Sequence, residues 1–164
     1  ATTRVQHRRG VGRAVLSSCD ICKPRMFSLS TSGGGHLVMQ RQDNGVVSLQ
    51  LENAPVNGLS LDLCTGIAST VKQLEEDGTV RGVVIGSAIK GVFSAGLDLK
   101  SLLITPEQPP QKLAEFWTAV QELWLSLYMT RLATVAAISG HCPAGGCLLA
   151  LSCDARVMVE GKYT

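Results

Sequence analysis

The chain has 164 residues, of which 45% are hydrophobic and 17% are charged, enough apolar material for one buried core but not for two. Aromatic residues make up only 4% and the formal net charge is +2, so an aromatic platform for nucleic acid is not expected. The sequence lacks an apolar run of about eighteen residues, which speaks against stable insertion into a membrane.

The first 35 residues differ from the rest in charge. Up to Gly34, a single acid, Asp20, accompanies six basic residues: Arg4, Arg8, Arg9, Arg13, Lys23 and Arg25. An Arg- and Ser-rich, acid-poor segment without a long apolar run is typical of a mitochondrial transit peptide. We therefore expect residues 1–35 to be a basic leader ending in a Gly-rich joint, and the folded domain to span residues 36–164. A disordered basic tail, or untranslated sequence carried into a gene model, is the alternative.

Six cysteines raise the questions of metal binding and disulfide formation: Cys19, Cys22, Cys64, Cys142, Cys147 and Cys153. The CxxC at Cys19–Cys22 has no second pair and no histidine at ligand spacing, so no metal site is predicted. The last three lie in an apolar region, where free cysteine usually acts as a small buried hydrophobe. This usage fits a reducing compartment.

The first half of the presumed domain contains a hairpin signal and a helix signal. Two short apolar segments, 36–42 and 46–51, flank Asp43-Asn44-Gly45, and Asn-Gly between such segments predicts a β-hairpin. A loop at 53–58 follows. Ser60 is placed to cap a helix whose apolar residues recur at helical spacing from Leu61 to Leu74, and Asp77-Gly78 ends it.

The second half alternates apolar strands with helices. Val80–Gly86 predicts a buried, parallel strand, because a helix precedes it. The remaining predicted elements are a proline-rich loop at 106–110, a long helix at 111–129, a strand at 134–138, a turn at 139–143, a helix at 145–151 and a strand at 155–159. This order predicts an α/β fold with functional loops after the strands.

Two glycine-centred segments, 92–99 and 141–147, carry the chemical signal. Each follows a predicted strand and leads into a predicted helix, so its backbone N–H groups are free to face a ligand. Two such groups directed at one carbonyl oxygen would stabilise the enolate formed beside a thioester. The segments match neither GxxxxGK[ST] nor GxGxxG, so a nucleotide loop is weakly supported. Glycines that serve only strand–helix packing remain an alternative.

These two segments, together with 81–85 and 153–156, resemble the crotonase (enoyl-CoA hydratase/isomerase) superfamily. Within it, the greatest similarity is to the mitochondrial Δ3,Δ2-enoyl-CoA isomerases of the short-chain type. The segments that carry it are 54–57, 94–99, 116–117 with 120–124, and 142–148. The resemblance covers about residue 36 to the end. It implies a crotonase-like spiral of ββα units, incomplete at the C-terminus.

The resemblance also implies the site. The N–H groups of Leu97 and Gly145 would be the two oxyanion donors, and the acyl-CoA site would be lined by Ala95, Gly96, Leu97, Asp98, Leu99 and Gly145. Asp98 would have a structural and CoA-proximal role rather than that of the general base. Lys100 could approach the CoA phosphates, or simply be a solvated lysine at the start of a helix.

Leu148 stands where a hydratase of this superfamily carries its first acid, and leucine cannot activate water. The implied reaction is therefore isomerisation, which moves a 3-cis or 3-trans double bond of enoyl-CoA to 2-trans in fatty-acid β-oxidation with one base. The resemblance places that base, a glutamate, beyond Thr164. Glu115, Glu122, Glu160 and His141 are not expected to replace it.

The resemblance implies no metal or redox cofactor, a CoA thioester as substrate, a homotrimer for the full-length protein and a location in the mitochondrial matrix. Two alternatives stay open. The chain could be a truncated isoform of weak or no activity that binds acyl-CoA or serves as an interaction module. Less favoured is an enoyl-CoA hydratase.

Overall fold

The computed structural model describes residues 37–102 and 110–160 in full, and only the backbone of residues 3–7, 10–14 and 25–27. The described elements are β1 Thr3–His7, β2 Gly10–Ala14, β3 Arg25–Phe27, β4 Leu37–Arg41, β5 Val46–Leu51, β6 Gly58–Leu59, α1 Leu61–Glu76, β7 Gly82–Ser87, β8 Gly96–Leu97, α2 Leu99–Leu102, α3 Pro110–Met129, β9 Ala133–Ile138, α4 Ala144–Ser152 and β10 Ala155–Val159. The α/β prediction is confirmed.

The main sheet has the strand order β2-β1-β10-β9-β7-β5-β4-β3. Its four central strands, β5, β7, β9 and β10, are parallel and follow one another in chain order. Val46 is in register with Gly82, and Gly82 with Ala133. Because these strands are parallel and connected by helices, their carboxyl-terminal ends all lie on the same side of the sheet. The loops that follow the strands gather there.

The chain repeats a strand–strand–helix unit. In the first unit β5 leads through the short β6 into α1, and in the second β7 leads through the short β8 into α2 and α3. β6 and β8 pair in parallel as a separate two-stranded sheet. In the third unit β9 leads into α4, and His141 takes the place of the short strand by forming a parallel bridge with Val92. This is the spiral of ββα units that the resemblance implied.

The predicted hairpin and first helix are confirmed. β4 and β5 pair antiparallel, and Gly45 (φ 79°) supplies the left-handed conformation at the turn. A Cβ atom there would lie 2.7 Å from the carbonyl oxygen of Thr79. Both the backbone conformation and the lack of space therefore require glycine. The hydroxyl of Ser60 accepts a hydrogen bond from the amide of Leu63 at 3.3 Å and caps α1.

The core lies between the sheet and the helices α1 and α3, which pack against each other. The predicted long helix is confirmed as α3; Phe116 is buried in it, whereas its neighbour Trp117 is 40% exposed. The largest core side chains include Leu49, Ile67, Ile85, Phe93, Phe116 and Leu123. In the part of the chain that the structure describes, none of the helices is long and apolar enough to cross a membrane.

Three strands fall within the segment that composition assigned to a leader. The β1 backbone pairs antiparallel with β10, β2 pairs with β1, and β3 pairs with β4, so this segment extends both edges of the sheet. The leader and its removal stay a prediction. The Gly-rich joint, Cys19, Cys22 and residues 106–109 of the predicted proline loop lie outside the described residues.

Candidate active site

The two glycine-centred segments meet directly. The amides of Phe93 and Ser94 donate to the carbonyl oxygen of His141 at 2.8 and 3.3 Å, and the amide of His141 donates to the carbonyl oxygen of Gly91 at 2.9 Å. Residues 47 to 50 positions apart in sequence thus share one hydrogen-bonded backbone pairing. The histidine contributes to this pairing through its main chain, in keeping with its interpretation as a loop residue.

Two glycines permit this close approach. A Cβ atom at Gly140 would lie 2.0 Å from the carbonyl carbon of Gly91, and one at Gly146 would lie 2.5 Å from the carbonyl oxygen of Ser94. Both distances are far below any tolerated contact. For Gly140 and Gly146, the interpretation as packing glycines is therefore sufficient.

Gly96 and Gly145 lie beside the two predicted donor amides. A Cβ at Gly145 would lie 3.1 Å from the amide nitrogen of Leu97, and one at Gly96 would lie 2.9 Å from the amide nitrogen of Gly145. Each glycine therefore keeps a methyl group away from the other segment's amide. Gly96 also has φ 97°, which a side chain would strain. The two predicted donors, Leu97 N–H and Gly145 N–H, thus lie on facing stretches of backbone.

The geometry of β8 turns the Leu97 amide away from its partner strand. The Asp98 amide donates to the carbonyl oxygen of Leu59 at 3.1 Å, across the pairing with β6. Because successive amides of a strand point to opposite sides, the Leu97 N–H points away from β6. The segment that carries Gly145 lies close to this amide, since a Cβ at Gly145 would be 3.1 Å from the Leu97 nitrogen.

The Gly145 amide lies in the first turn of α4. The amides of Gly146 and Cys147 both donate to the carbonyl oxygen of Pro143, at 3.0 and 3.4 Å. Gly145 precedes them, in the part of a helix where amides have no acceptor within the helix and the dipole is positive. Ala144 holds a left-handed conformation with φ 48°, and such a residue costs on the order of 1 kcal/mol. This conformation sets the direction of the Gly145 amide.

Asn57 is hydrogen-bonded to the first glycine-centred segment, residues 92–99. Its side chain is fully buried and donates to the carbonyl oxygen of Phe93 at 2.9 Å and to the hydroxyl of Ser87 at 2.8 Å, while its Oδ1 accepts from the Asn53 amide at 2.8 Å. The buried Ser94 hydroxyl donates to the Asn57 carbonyl oxygen at 2.7 Å and accepts from the Gly96 amide at 3.2 Å.

Sequence reasoning did not assign Asn57 or Ser94 a role. The available signal was the Asn57-Gly58 pair, because asparagine tolerates the left-handed conformation found here (φ 51°). Together the two side chains fix the conformation of residues 93–96. They are positioning residues for the Leu97 amide.

The other predicted site residues are spread around this pair. Asp98 accepts from the Lys100 amide at 3.3 Å and from the Ser101 hydroxyl at 3.0 Å, as a cap of the short α2 would. Ala95 donates its amide to the Val56 carbonyl oxygen at 2.9 Å. Leu99 is 72% exposed, and Lys100 is exposed as well.

The predictions for the remaining candidates hold in part. Glu115, Glu122 and Glu160 are exposed, in agreement with a solvated face and a surface position. Leu148 is 47% exposed on the first turns of α4. The expectation that Cys147 is buried is wrong, because its position at the start of α4 faces outward, whereas Cys153 is buried.

The comparisons with known proteins agree with this geometry. A sequence model of the enoyl-CoA hydratase/isomerase family matches residues 41–162. The mitochondrial enoyl-CoA delta isomerase 1 of Rattus norvegicus is 45% identical over 129 residues, which cover 78% of this chain and 44% of the rat protein. The Homo sapiens protein of the same name is 47% identical over 116 residues, 71% of this chain and 37% of the human protein.

Solved structures give the same result. The crystal structure of human mitochondrial delta3-delta2-enoyl-CoA isomerase superposes with a TM-score of 0.69 at 45% identity, covering 73% of this chain and 46% of that one. An enoyl-CoA hydratase from Bacillus halodurans superposes with a TM-score of 0.67 at 25% identity, covering 76% and 49%. The chain spans less than half the length of these relatives. The family model nevertheless matches most of the described residues. The chain therefore belongs to the enoyl-CoA hydratase/isomerase family.

Proposed function

We propose that the protein shifts a 3-cis or 3-trans double bond of an enoyl-CoA to the 2-trans position, as an isomerase of fatty-acid β-oxidation. The observation that carries the proposal is the facing pair of amides, Leu97 N–H on β8 and Gly145 N–H in the first turn of α4. The names of the mitochondrial delta isomerases, 45–49% identical, support the choice of reaction.

The thioester oxygen of the substrate accepts from both amides. A proton then leaves C2, the negative charge that develops on that oxygen is stabilised by the two N–H groups and the α4 dipole, and the proton returns at C4. Ala95, Gly96, Leu97, Asp98, Leu99 and Gly145 contact the acyl-CoA near the thioester. Backbone donors fixed before the substrate arrives cost no reorganisation during the reaction.

The base comes from outside these two segments. Residues 139–152 contain no Asp or Glu, and the Asp98 carboxylate is engaged by Lys100 and Ser101. We assign the proton transfer to a glutamate elsewhere in the folded protein, as the resemblance implies. Leu148, at the position of a hydratase's first acid, offers no group that could activate water.

We propose the same substrate class, cofactor requirement, location and assembly as the resemblance implies. The substrate is a CoA thioester, and proton transfer with oxyanion stabilisation requires neither a metal nor a redox cofactor. The described residues hold no cluster of three or more metal-ligating side chains. The mitochondrial relatives support a mitochondrial protein, and we propose the matrix as its location and a homotrimer as its assembly.

A β-ketoacyl thioester tests the oxyanion pair without requiring the base. Acetoacetyl-CoA absorbs ultraviolet light as its enolate, so a site that stabilises the enolate raises this absorbance when the ligand binds. We expect the rise with the unmodified chain and its loss in Gly145→Ala, whose methyl group would lie 3.1 Å from the Leu97 amide, within the range of an accepting oxygen.

The chain offers matched controls. Gly78→Ala adds a methyl group with nothing within 4 Å and should bind as the unmodified chain does. Gly96→Ala and Gly91→Ala both strain a residue of positive φ, but only the first meets the Gly145 amide. Equal enolate absorbance in these two variants would contradict the proposed pair.

The reaction itself is measured with 3-cis-enoyl-CoA and the protein that contains this chain together with the base. We expect 2-trans-enoyl-CoA as product and a turnover about 10²-fold lower in Gly145→Ala. A 3-hydroxyacyl-CoA formed from 2-trans-enoyl-CoA would favour hydration instead. An enolate rise without turnover in that protein would favour a binding role.

A further inference from the structure

Cys142 and Cys147 bracket the start of α4. Pro143 is the N-cap of this helix, so Cys142 is the residue before the cap and Cys147 is the fourth residue of the helix. Side chains at these two positions commonly pack against each other across the first turn, in the arrangement known as the hydrophobic staple. Here cysteines occupy both of these positions.

The two thiols differ in exposure. Cys147 is exposed and Cys142 is half-buried, and neither forms a disulfide. Burial raises the pKa of Cys142 to about 12, and the negative charge of a Cys147 thiolate adds to the increase. The second contribution agrees with the two cysteines lying at the same end of α4.

The other described cysteines have different surroundings. Cys64 and Cys153 are both fully buried, and the Cys153 thiol donates to the Leu149 carbonyl oxygen at 3.6 Å. Burial keeps solvent oxidants away from both. They serve as internal references for the pair at α4.

We propose that Cys142 and Cys147 are a modification site for hydroperoxides, where oxidation closes an intramolecular disulfide across the first turn of α4. The exposed Cys147 thiolate attacks hydrogen peroxide, forms a sulfenic acid and releases hydroxide. The Cys142 thiol then attacks the sulfenic sulfur, the S–S bond forms, and the hydroxyl leaves with the thiol proton as water. Two sulfur atoms are oxidised by two electrons in total, and the peroxide is reduced to one hydroxide and one water.

The disulfide would act on the residues it encloses. A disulfide holds its two Cβ atoms about 3.8 Å apart, and any adjustment falls on residues 143–146, which include the strained Ala144 and the Gly145 amide. We therefore expect oxidation to lower oxyanion stabilisation. This second effect rests on the proposed function, whereas disulfide formation does not.

Peptide mapping tests the proposal on the full chain. Trypsin releases residues 132–156 as one peptide that holds Cys142, Cys147 and Cys153, because no Lys or Arg lies between Arg131 and Arg156. After treatment with hydrogen peroxide and alkylation, we expect this peptide to be alkylated only at Cys153. Its mass should be lower, by two hydrogen atoms, than that of the reduced peptide that carries one alkyl group. Fragment ions should place the bridge between Cys142 and Cys147.

Three variants make the result specific. Cys153→Ser, which retains a donor to Leu149, should leave the disulfide unchanged. Cys147→Ser should abolish it, and Cys142→Ser should leave a sulfenic acid on Cys147 that dimedone traps. Circular dichroism before oxidation verifies that each variant is folded.

Two outcomes would overturn the proposal: a dimedone adduct at Cys147 without a bridge in the unmodified chain, or a bridge that persists in Cys147→Ser. The enolate absorbance of acetoacetyl-CoA, before and after reduction with dithiothreitol, measures the second effect separately. A disulfide without any enolate signal in the reduced protein would retain the modification site and count against the proposed function.

Discussion

Asn57 is a buried polar residue that determines the local structure of a distant segment. Its side chain bonds to Phe93, Ser87 and Asn53, and its carbonyl oxygen accepts from Ser94. A buried amide with every bond satisfied stabilises one conformation of the loop, since any other arrangement would leave polar groups without partners. The backbone amide of Leu97 has a defined direction partly for this reason.

We predict that Asn57→Ala lowers the free energy of unfolding by about 3 kcal/mol, because the buried partners lose their bonds and alanine must hold a positive φ. Asn57→Gly removes the same side chain but relieves the backbone, so it should cost about 1 kcal/mol less. Urea unfolding followed by circular dichroism measures both. Asn44→Ala, at an exposed turn position whose side chain accepts one bond from Val46, is the control, and an equal loss there would contradict the prediction.

At this scale the sequence yields a prediction for the two donors but none for the residues that support them. Leu97 and Gly145 were predicted as donors because a glycine-rich resemblance marks the positions. Asn57 was not, since its partners Ser87 and Phe93 lie 30 and 36 residues away and only the folded chain brings them together. The exposure of Cys147 was not predicted, because apolar residues occupy all sides of α4 and their pattern does not show which side faces solvent.

Among the elements, α1 shows how local chemistry determines where a helix ends. Asp77 is its C-cap, and its carboxylate accepts from the amide and hydroxyl of Thr79 and forms an ion pair with Arg41. These contacts, the Thr79 hydroxyl first, hold the pKa of Asp77 well below its ordinary value. The same carboxylate thus links the end of α1 to strand β4.

The lowered pKa predicts a dependence of stability on pH. The carboxylate contributes stability at pH values above its ordinary pKa, and that contribution is lost as the pH falls through the lower, folded-state value. Asp77→Asn should therefore be less stable than the unmodified chain at pH 7, and the difference should shrink as the pH falls below about 4. Thermal unfolding across this range measures it.

Two further variants divide the effect. Thr79→Ala should lose a larger share of this pH-dependent stability than Arg41→Gln, since the ion pair between Arg41 and Asp77 is largely exposed to solvent and stabilises only weakly. A stability difference between Asp77→Asn and the unmodified chain that grew toward acid would contradict the assignment.

The long elements followed from the sequence and the short ones did not. Helices α1 and α3 have apolar residues repeating over several turns, and β5 alternates buried and half-buried positions, so periodicity located them. The two-residue strands β6 and β8 and the four-residue α2 are too short to show a period. They arise from tertiary pairing, and β8 carries a predicted donor.

The whole molecule is stabilised by the layer that α1 and α3 form over the sheet. Leu123 and Leu125 belong to the same helix, yet Leu123 is fully buried and Leu125 is 54% exposed. This pair isolates the effect of burial from helix propensity. Leu125 also lines an open groove of about 500 Å³ between α1 and α3.

We predict that Leu123→Ala lowers the free energy of unfolding by about 3 kcal/mol, since it removes apolar contact and leaves a cavity. Leu125→Ala should change it by no more than about 0.5 kcal/mol. Chemical unfolding measures both variants. A comparable loss in Leu125→Ala would mean that the exposed side of α3 is covered in solution, and it would contradict the burial described for this face.

The arrangement of strands places a requirement on residues that never touch the reacting atoms. Leu97 belongs to the second strand–strand–helix unit and Gly145 to the third, and the register between β7 and β9 sets how far apart their loops emerge. A slip of one residue would displace one loop by about 3.3 Å relative to the other, more than the length of a hydrogen bond. If the proposed amide pair is correct, the valines and alanines of β7 and β9 set the distance between its two amides, and variants that loosen the pairing of these strands should impair enolate binding before they unfold the chain.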